Sequence, residues 1–177
     1  MRNLAFFCCS GLTSITIPDS IVSIGDSAFS SCSSLTSVTI PDSVISMGAG
    51  AFLNCENLTE ISVSKGNKKY HSAGNCLIET ESKTLIAGCK NSVIPADGSV
   101  TSIGNYAFYG CSGLTSVTIP ESVTSIDSYA FNGCSGLTSI TFNGTIAQWR
   151  AISKGSYWNN SVPSSCKIVC TDGTISM

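Results

Sequence analysis

The residues with the most evident chemistry are ten cysteines and one histidine in a chain of 177 residues. Five thiols, Cys9, Cys32, Cys55, Cys111 and Cys134, fall at one position of a recurring pattern. Such a column suits either a ladder of metal or redox ligands or a row of small buried side chains, the common state of a free cysteine. Stacked strand geometry rarely meets the disulfide torsion, and tetrahedral zinc needs ligands converging from different directions. A line of thiols supplies neither, so the column reads as core. Cys166 and Cys170 are spaced to pair across a turn, while Cys8, Cys76 and Cys89 are left open. His71 lies in a polar stretch that lacks the nucleophile and carboxylate of a hydrolase triad. No phosphate-binding glycine loop, His-x-x-x-His or Cys-x-x-Cys pair is present. The sequence predicts no enzyme, no metal and no cofactor.

The elements that carry these residues are repeats. Ala-Phe-x-x-Cys-x-x-Leu begins at Ala5, Ala28, Ala51, Ala107 and Ala130, at spacings of 23, 23, 56 and 23 residues. The wide gap holds one ordinary coil and one enlarged by about ten residues. Each motif leads into Leu-x-x-(Val/Ile)-x-(Ile/Val/Phe), as in Leu35/Val38/Ile40 and Leu114/Val117/Ile119. The last two apolar positions alternate as in a strand, and β-branched residues fill it. Pro18, Pro41 and Pro120 end the strand, with Pro95 in the enlarged coil. Asp19, Asp42 and Glu121 then start a turn, and a second apolar pair follows, such as Val44/Met47 or Val123/Ile126. Gly25, Gly48, Gly104 and Asp127 come next, and the sequence predicts positive φ there, leading into a short helical turn that bears Ala-Phe. One coil cannot bury its own apolar face. About six, stacked roughly 4.8 Å apart, share a continuous core.

Composition narrows the function classes. Apolar residues make up 42% and charged residues 11%, which excludes a disordered chain. A net charge of −2 gives no electrostatic signal for nucleic acid or an anionic membrane. No apolar run is long enough to span a bilayer, so no membrane insertion is expected. The start, Met1 to Cys8, has too short an apolar stretch for a signal peptide, and it fits the repeat.

Two segments break the pattern. In residues 64–95, Cys76-Leu77-Ile78 and Leu85-Ile86-Ala87 flank a polar stretch, predicting a hairpin that protrudes from the solenoid. If Pro95 matches Pro41, Asn91 and Val93 face outward and Ser92 inward. Lys65, Lys68, Lys69, Tyr70 and His71 form the one basic cluster, read as a solvated loop or as a contact for a sulfated glycan or acidic partner. After Phe142 the repeat stops. A helix over residues 145–152, Trp158 and a Lys167–Val169 strand predict a cap. The domains expected are a solenoid over 1–142 and a C-terminal cap over 143–177. Leu4, Phe6 and Leu12 are expected at an uncovered N-terminal end that invites self-association.

The unit Ala-Phe-x-x-Cys-x-x-Leu-Thr-Ser-Val-Thr-Ile-Pro-x-Ser-Val-x-Ser-Ile-Gly resembles the BspA-like leucine-rich repeat. It is most nearly complete at Ala28–Gly48 and Ala107–Ile126, and the register runs from residue 5 to about 142. The tail from Phe142 to Gly173 also resembles the closing segment of such proteins. The resemblance implies an α/β repeat solenoid, mostly β. It is a right-handed leucine-rich-repeat superhelix with one parallel strand ladder and a short helical turn per 23-residue coil. It implies a bacterial cell-surface or secreted protein whose partners are host matrix or plasma proteins, or microbial surface proteins. The chain shows neither the export signal, the anchor nor the N-terminal cap expected of such proteins.

The best candidate site is the set of outward strand positions, Ser14/Thr16, Ser37/Thr39, Glu60/Ser62, Ser116/Thr118 and Ser139/Thr141. Stacking aligns them into one sheet of hydroxyls, the kind of face solenoids use for binding. The face lacks aromatic and arginine anchors, so avidity would have to supplement weak contacts. The leading expectation is a non-enzymatic protein-binding or adhesion module. The rival is a structural spacer or display array with no ligand of its own. Ice binding through the Ser-x-Thr ladder is disfavoured by curvature and by the interruption at Glu60.

Overall fold

The computed structural model describes residues 1–177, and its strands follow the repeat. They run β1 (Ser14–Ile15), β2 (Ser23–Ile24), β3 (Ser37–Ile40), β4 (Ser46–Met47) and β5 (Glu60–Val63). The enlarged coil holds β6 (Tyr70–Ala73), β7 (Cys76–Glu79), β8 (Thr84–Ala87) and β9 (Ser102–Ile103). Then come β10 (Ser116–Ile119), β11 (Ser125–Ile126), β12 (Ser139–Phe142), helix α1 (Ile146–Ala151), β13 (Ser153–Lys154), β14 (Lys167–Cys170) and β15 (Gly173–Ser176).

Each regular coil contributes to two parallel ladders. The first holds β1-β3-β5 and β10-β12-β14; the second holds β2-β4 and β9-β11-β13. Register is one repeat throughout: Val38 lies beside Ile61, and Val117 beside Ile140. Alternation sends Val38 and Ile40 into the core and leaves Thr39 outside. The proline turns close as the residue types dictate. The amides of Ile21, Val44 and Val123 donate to the carbonyls of Pro18, Pro41 and Pro120.

The third corner differs from the expectation. Instead of a helical turn it is a pair of tight turns with two positive-φ residues per coil. These do not fall at Gly25, Gly48, Gly104 and Asp127 but two residues later, at Ser27, Gly50, Tyr106 and Tyr129, and again at Ser31, Asn54, Gly110 and Gly133. Coil-to-coil bonds hold this backbone, as from the Phe29 amide to the Ala51 carbonyl and from Phe108 to Ala130. The earlier glycines serve close approach instead: a Cβ at Gly48 would overlap the backbone of Gly25 and Asp26 in the coil before it. Inside the corner the Phe rings stack in register, Phe6 on Phe29 at 5.3 Å, Phe29 on Phe52 at 5.4 Å, and Phe108 on Phe131 at 5.0 Å.

The expected hairpin forms, with β7 antiparallel to β8 across residues 80–83, but it does not protrude. β6, β7 and β8 form an antiparallel meander within the wall, and β8 joins β9 in parallel. Cys76, Leu77 and Ile78 are fully buried, as a continuous apolar run demands when both faces of a strand are covered. Its corner is cut short. Gly88 donates to the Ala107 carbonyl, taking the place of a phenylalanine, and the Phe108 ring fills the space its side chain would need. Ser92 does point inward and Val93 outward. The Ser92 hydroxyl accepts from the Cys89 amide at 2.8 Å and donates to the Asn75 carbonyl at 2.7 Å. Around this coil the core divides into two clusters, one holding Phe29, Phe52 and Leu77, the other Ile78, Phe108 and Phe131.

The first ladder runs past Phe142. β14 pairs with β12 in parallel, with Ile168 beside Ile140, and β13 continues the second ladder. Trp158 meets Phe131 edge-on, so residues 143–170 add another coil in the same stacking register. Helix α1 is started by a capping box between Thr145 and Gln148 and buries Trp149. β15 then folds back antiparallel on β14 and ends the ladder. At the opposite end Leu4 and Phe7 are exposed, and Phe6 and Leu12 are half-buried.

Candidate functional site

The ten outward residues are brought to one side, but as two patches rather than one sheet. Ser14, Thr16, Ser37, Thr39, Glu60 and Ser62 belong to the first three coils. Ser116, Thr118, Ser139 and Thr141 belong to β10 and β12, and Lys167 and Val169 of β14 extend them. No backbone pairing joins β5 to β10, because the enlarged coil has no strand at that place. Val93 stands there 67% exposed. Thr39 and Ser62 bond one another at 2.8 Å across adjacent coils.

A second row of hydroxyls, beside the face, serves the fold. Thr36 donates to the Thr13 carbonyl, Thr59 to Thr36 and Thr138 to Thr115, at 3.0–3.2 Å. These threonines precede the strand and repeat at 23 residues, a signal present in the sequence that hydroxyl counting alone does not separate from the face.

The basic cluster is dispersed and is not a loop throughout. Tyr70 and His71 lie in β6, and Tyr70 is buried. Lys69 pairs with Glu79 at 2.8 Å, which holds the Glu79 carboxyl below its ordinary range. His71 Nδ1 is 2.9 Å from the Thr80 hydroxyl. Lys65 and Lys68 remain exposed.

All ten cysteines are free. Cys32, Cys55 and Cys134 each donate to the carbonyl of the phenylalanine one coil earlier, at 3.1 Å. Burial pushes the Cys55, Cys76 and Cys134 thiols up to about 12. Cys166 and Cys170 do not pair. Cys166 precedes β14 and Cys170 ends it, and four residues of extended chain span about 13 Å, beyond disulfide reach.

The aromatic residues missing from the strand face lie on the turn corner. Tyr106, Tyr129 and Tyr157 stack at 5.2 and 5.4 Å, and Tyr109 meets Tyr106 edge-on at 5.8 Å. All four are at least partly exposed. The 23-residue spacing of Tyr106 and Tyr129, each just ahead of Ala-Phe, is the sequence signal that finds them.

The family of BspA type leucine rich repeat regions, six copies in its model, matches residues 1–82 and 79–171. Among solved structures, a leucine rich cell surface protein of Faecalibacterium prausnitzii is 36% identical over 80% of this chain, with a TM-score of 0.50. A leucine-rich repeat protein of Eubacterium ventriosum covers 96% of the chain at 21% identity and a TM-score of 0.50, which bears on the fold alone. This chain spans 35% of the first structure and 63% of the second. No curated protein matches significantly. No helix is long and apolar enough to cross a membrane.

Proposed function

Since the chain belongs to the BspA-type leucine-rich repeat family, we propose that it is a non-enzymatic protein-binding or adhesion module of a bacterial cell-surface or secreted protein. The observation that carries this reading is the in-register stacking of outward strand residues, Ser14 on Ser37 on Glu60 and Ser116 on Ser139 on Lys167. A ladder of this kind presents rigid, evenly spaced side chains over several coils at no ordering cost to the strand backbone. The surface location is supported by the similarity to a bacterial protein described as a cell surface protein. Partners of the host-matrix, plasma or microbial-surface kind fit the same reading.

The test is a pull-down from plasma and mucosal extract with the parent and a variant carrying Ser37→Lys, Thr39→Lys, Ser116→Lys and Thr118→Lys. Capture by the parent and not by the variant places the contact on the strand face. Equal capture by both removes the face from the site. Capture by neither favours a spacer that displays other domains.

A further inference from the structure

The cut-short corner of the enlarged coil opens a notch on the side that carries the tyrosines. Regular coils fill this corner with a complete turn. Here the Asn54 amide bonds directly to the Tyr109 carbonyl, bridging residues 55 apart in sequence. Above that bond lies a groove of about 430 Å³ lined by Tyr106, Tyr109, Tyr129, Leu53, Asn54 and Asp26. A second hollow shares Ala49 with it and is lined by Asn105, Thr84 and Asp127. The groove alone has the volume of a small-ligand site.

The Asp26 carboxylate accepts from Asn3 and from the Ala49 amide, and the Thr84 hydroxyl donates to the Ser82 carbonyl, but other polar tips around the notch are free. The hydroxyls of Tyr106, Tyr109 and Tyr129, the Asn105 amide and the Asp127 carboxylate have no hydrogen-bond partner in the protein; the Thr36, Thr59 and Thr138 hydroxyls, by contrast, are all engaged coil to coil. Asp127 is half-buried, and burial raises its pKa. No lysine or arginine lines either hollow. The rings also sit where side chains are costly. Tyr106 and Tyr129 occupy the positive-φ position (62° and 61°) that Gly50 fills in another coil without strain. Tyr109 meets Tyr106 edge-on, is part-exposed and lines the groove.

From this geometry we infer that the notch is a binding site for an uncharged oligosaccharide. The solvent-exposed parts of the tyrosine rings offer apolar surface to sugar C–H groups, and fixed phenol, amide and carboxylate groups exchange hydrogen bonds with sugar hydroxyls. The absence of cations and the presence of Asp26 and Asp127 disfavour sulfated or acidic sugars. The site is separate from the strand face, so the four-lysine variant leaves it intact.

Affinity electrophoresis in gels holding dextran, mannan, galactan or xyloglucan tests it, with heparin and poly-L-lysine as charged controls. The parent is retarded by at least one neutral polysaccharide and not by heparin. Tyr109→Ala, at a residue of ordinary φ, weakens that retardation about tenfold. Asn105→Ala, at an exposed residue, weakens it several-fold with an unchanged melting curve, which keeps the test valid should Tyr109→Ala fold poorly. No retardation by any neutral polysaccharide overturns the proposal. So does retardation unaltered in both variants, and so does retardation by poly-L-lysine alone, which would make the notch a site for a basic peptide.

Discussion

The regular coils and the enlarged coil solve the same packing problem in different ways. In a regular coil each side chain meets its own kind one repeat away: Phe29 lies between Phe6 and Phe52, and Val38 between Ile15 and Ile61. In the enlarged coil the repeat lapses from β6 to Ile94 and resumes only at β9, and groups in between are satisfied by one-off contacts. Gly88 yields its space to the Phe108 ring, Ser92 bonds Cys89 and Asn75, and β7 fills the core between the two clusters. Repetition in the sequence therefore records like meeting like across a coil boundary. Its loss marks where a specific, one-off arrangement has been built.

The largest expected effect contrasts a ring inside the stack with one at its end. Phe29→Ala should cost about 3–5 kcal/mol in urea unfolding, whereas Phe6→Ala, half-buried on the first coil, should cost well under half of that. Equal losses would show that stacking within the corner is not what holds it.

Alkaline pH should act on both kinds of coil alike. The Cys55, Cys76 and Cys134 thiols stay protonated in the fold up to about 12, against 9.0 without burial. Their raised values contribute stability that is intact below pH 9 and is lost as pH rises toward 12. The three together should remove up to about 4 kcal/mol by pH 10. Unfolding curves at pH 8 and pH 10 measure it, and a flat profile would contradict the burial of the thiol column.

Gly48→Ala should destabilise by about 1–3 kcal/mol, because its Cβ overlaps the preceding coil, while Gly11→Ala meets nothing and should be near neutral. Thermal melts of the two variants separate close approach from simple loss of glycine. The one-off arrangement has its own test in Ser92→Ala, which strands the Cys89 amide and leaves the Asn75 carbonyl only the weak donor of the Cys89 thiol at 3.7 Å. It should cost about 1–3 kcal/mol, against less than about 0.5 kcal/mol for Ser37→Ala on the strand face.

The regular coils were legible because period-two alternation, proline punctuation and a 23-residue spacing all agree. The corner was misread for a physical reason. Gly25 and Gly48 suggest left-handed backbone, but glycine is also what a close backbone contact requires, and only coordinates separate the two uses. The apolar runs at Cys76–Ile78 and Leu85–Ala87 announce strands, but the place of their antiparallel meander within the wall rests on partners far away in sequence. The ten outward strand residues are exposed or part-exposed, as period-two alternation dictates. Their division into two patches follows from a pairing that the Asn91–Ile94 segment does not make. The tyrosine corner is faint in the sequence because its register shows in two coils at 23 residues, whereas Tyr157 follows Tyr129 by 28, after the α1 insertion.

The coil-to-coil bonds, such as Phe29 to Ala51 and Phe131 to Trp158, lie along the length of the solenoid. A pull on the two chain ends therefore loads them in series, and coils peel away one at a time rather than together. Each released coil exchanges a rise of about 5 Å for some 75–80 Å of extended chain. Attached between a cell and a surface, such an array lengthens stepwise under load and holds a moderate tension over a long distance, where a single compact domain would give way at once.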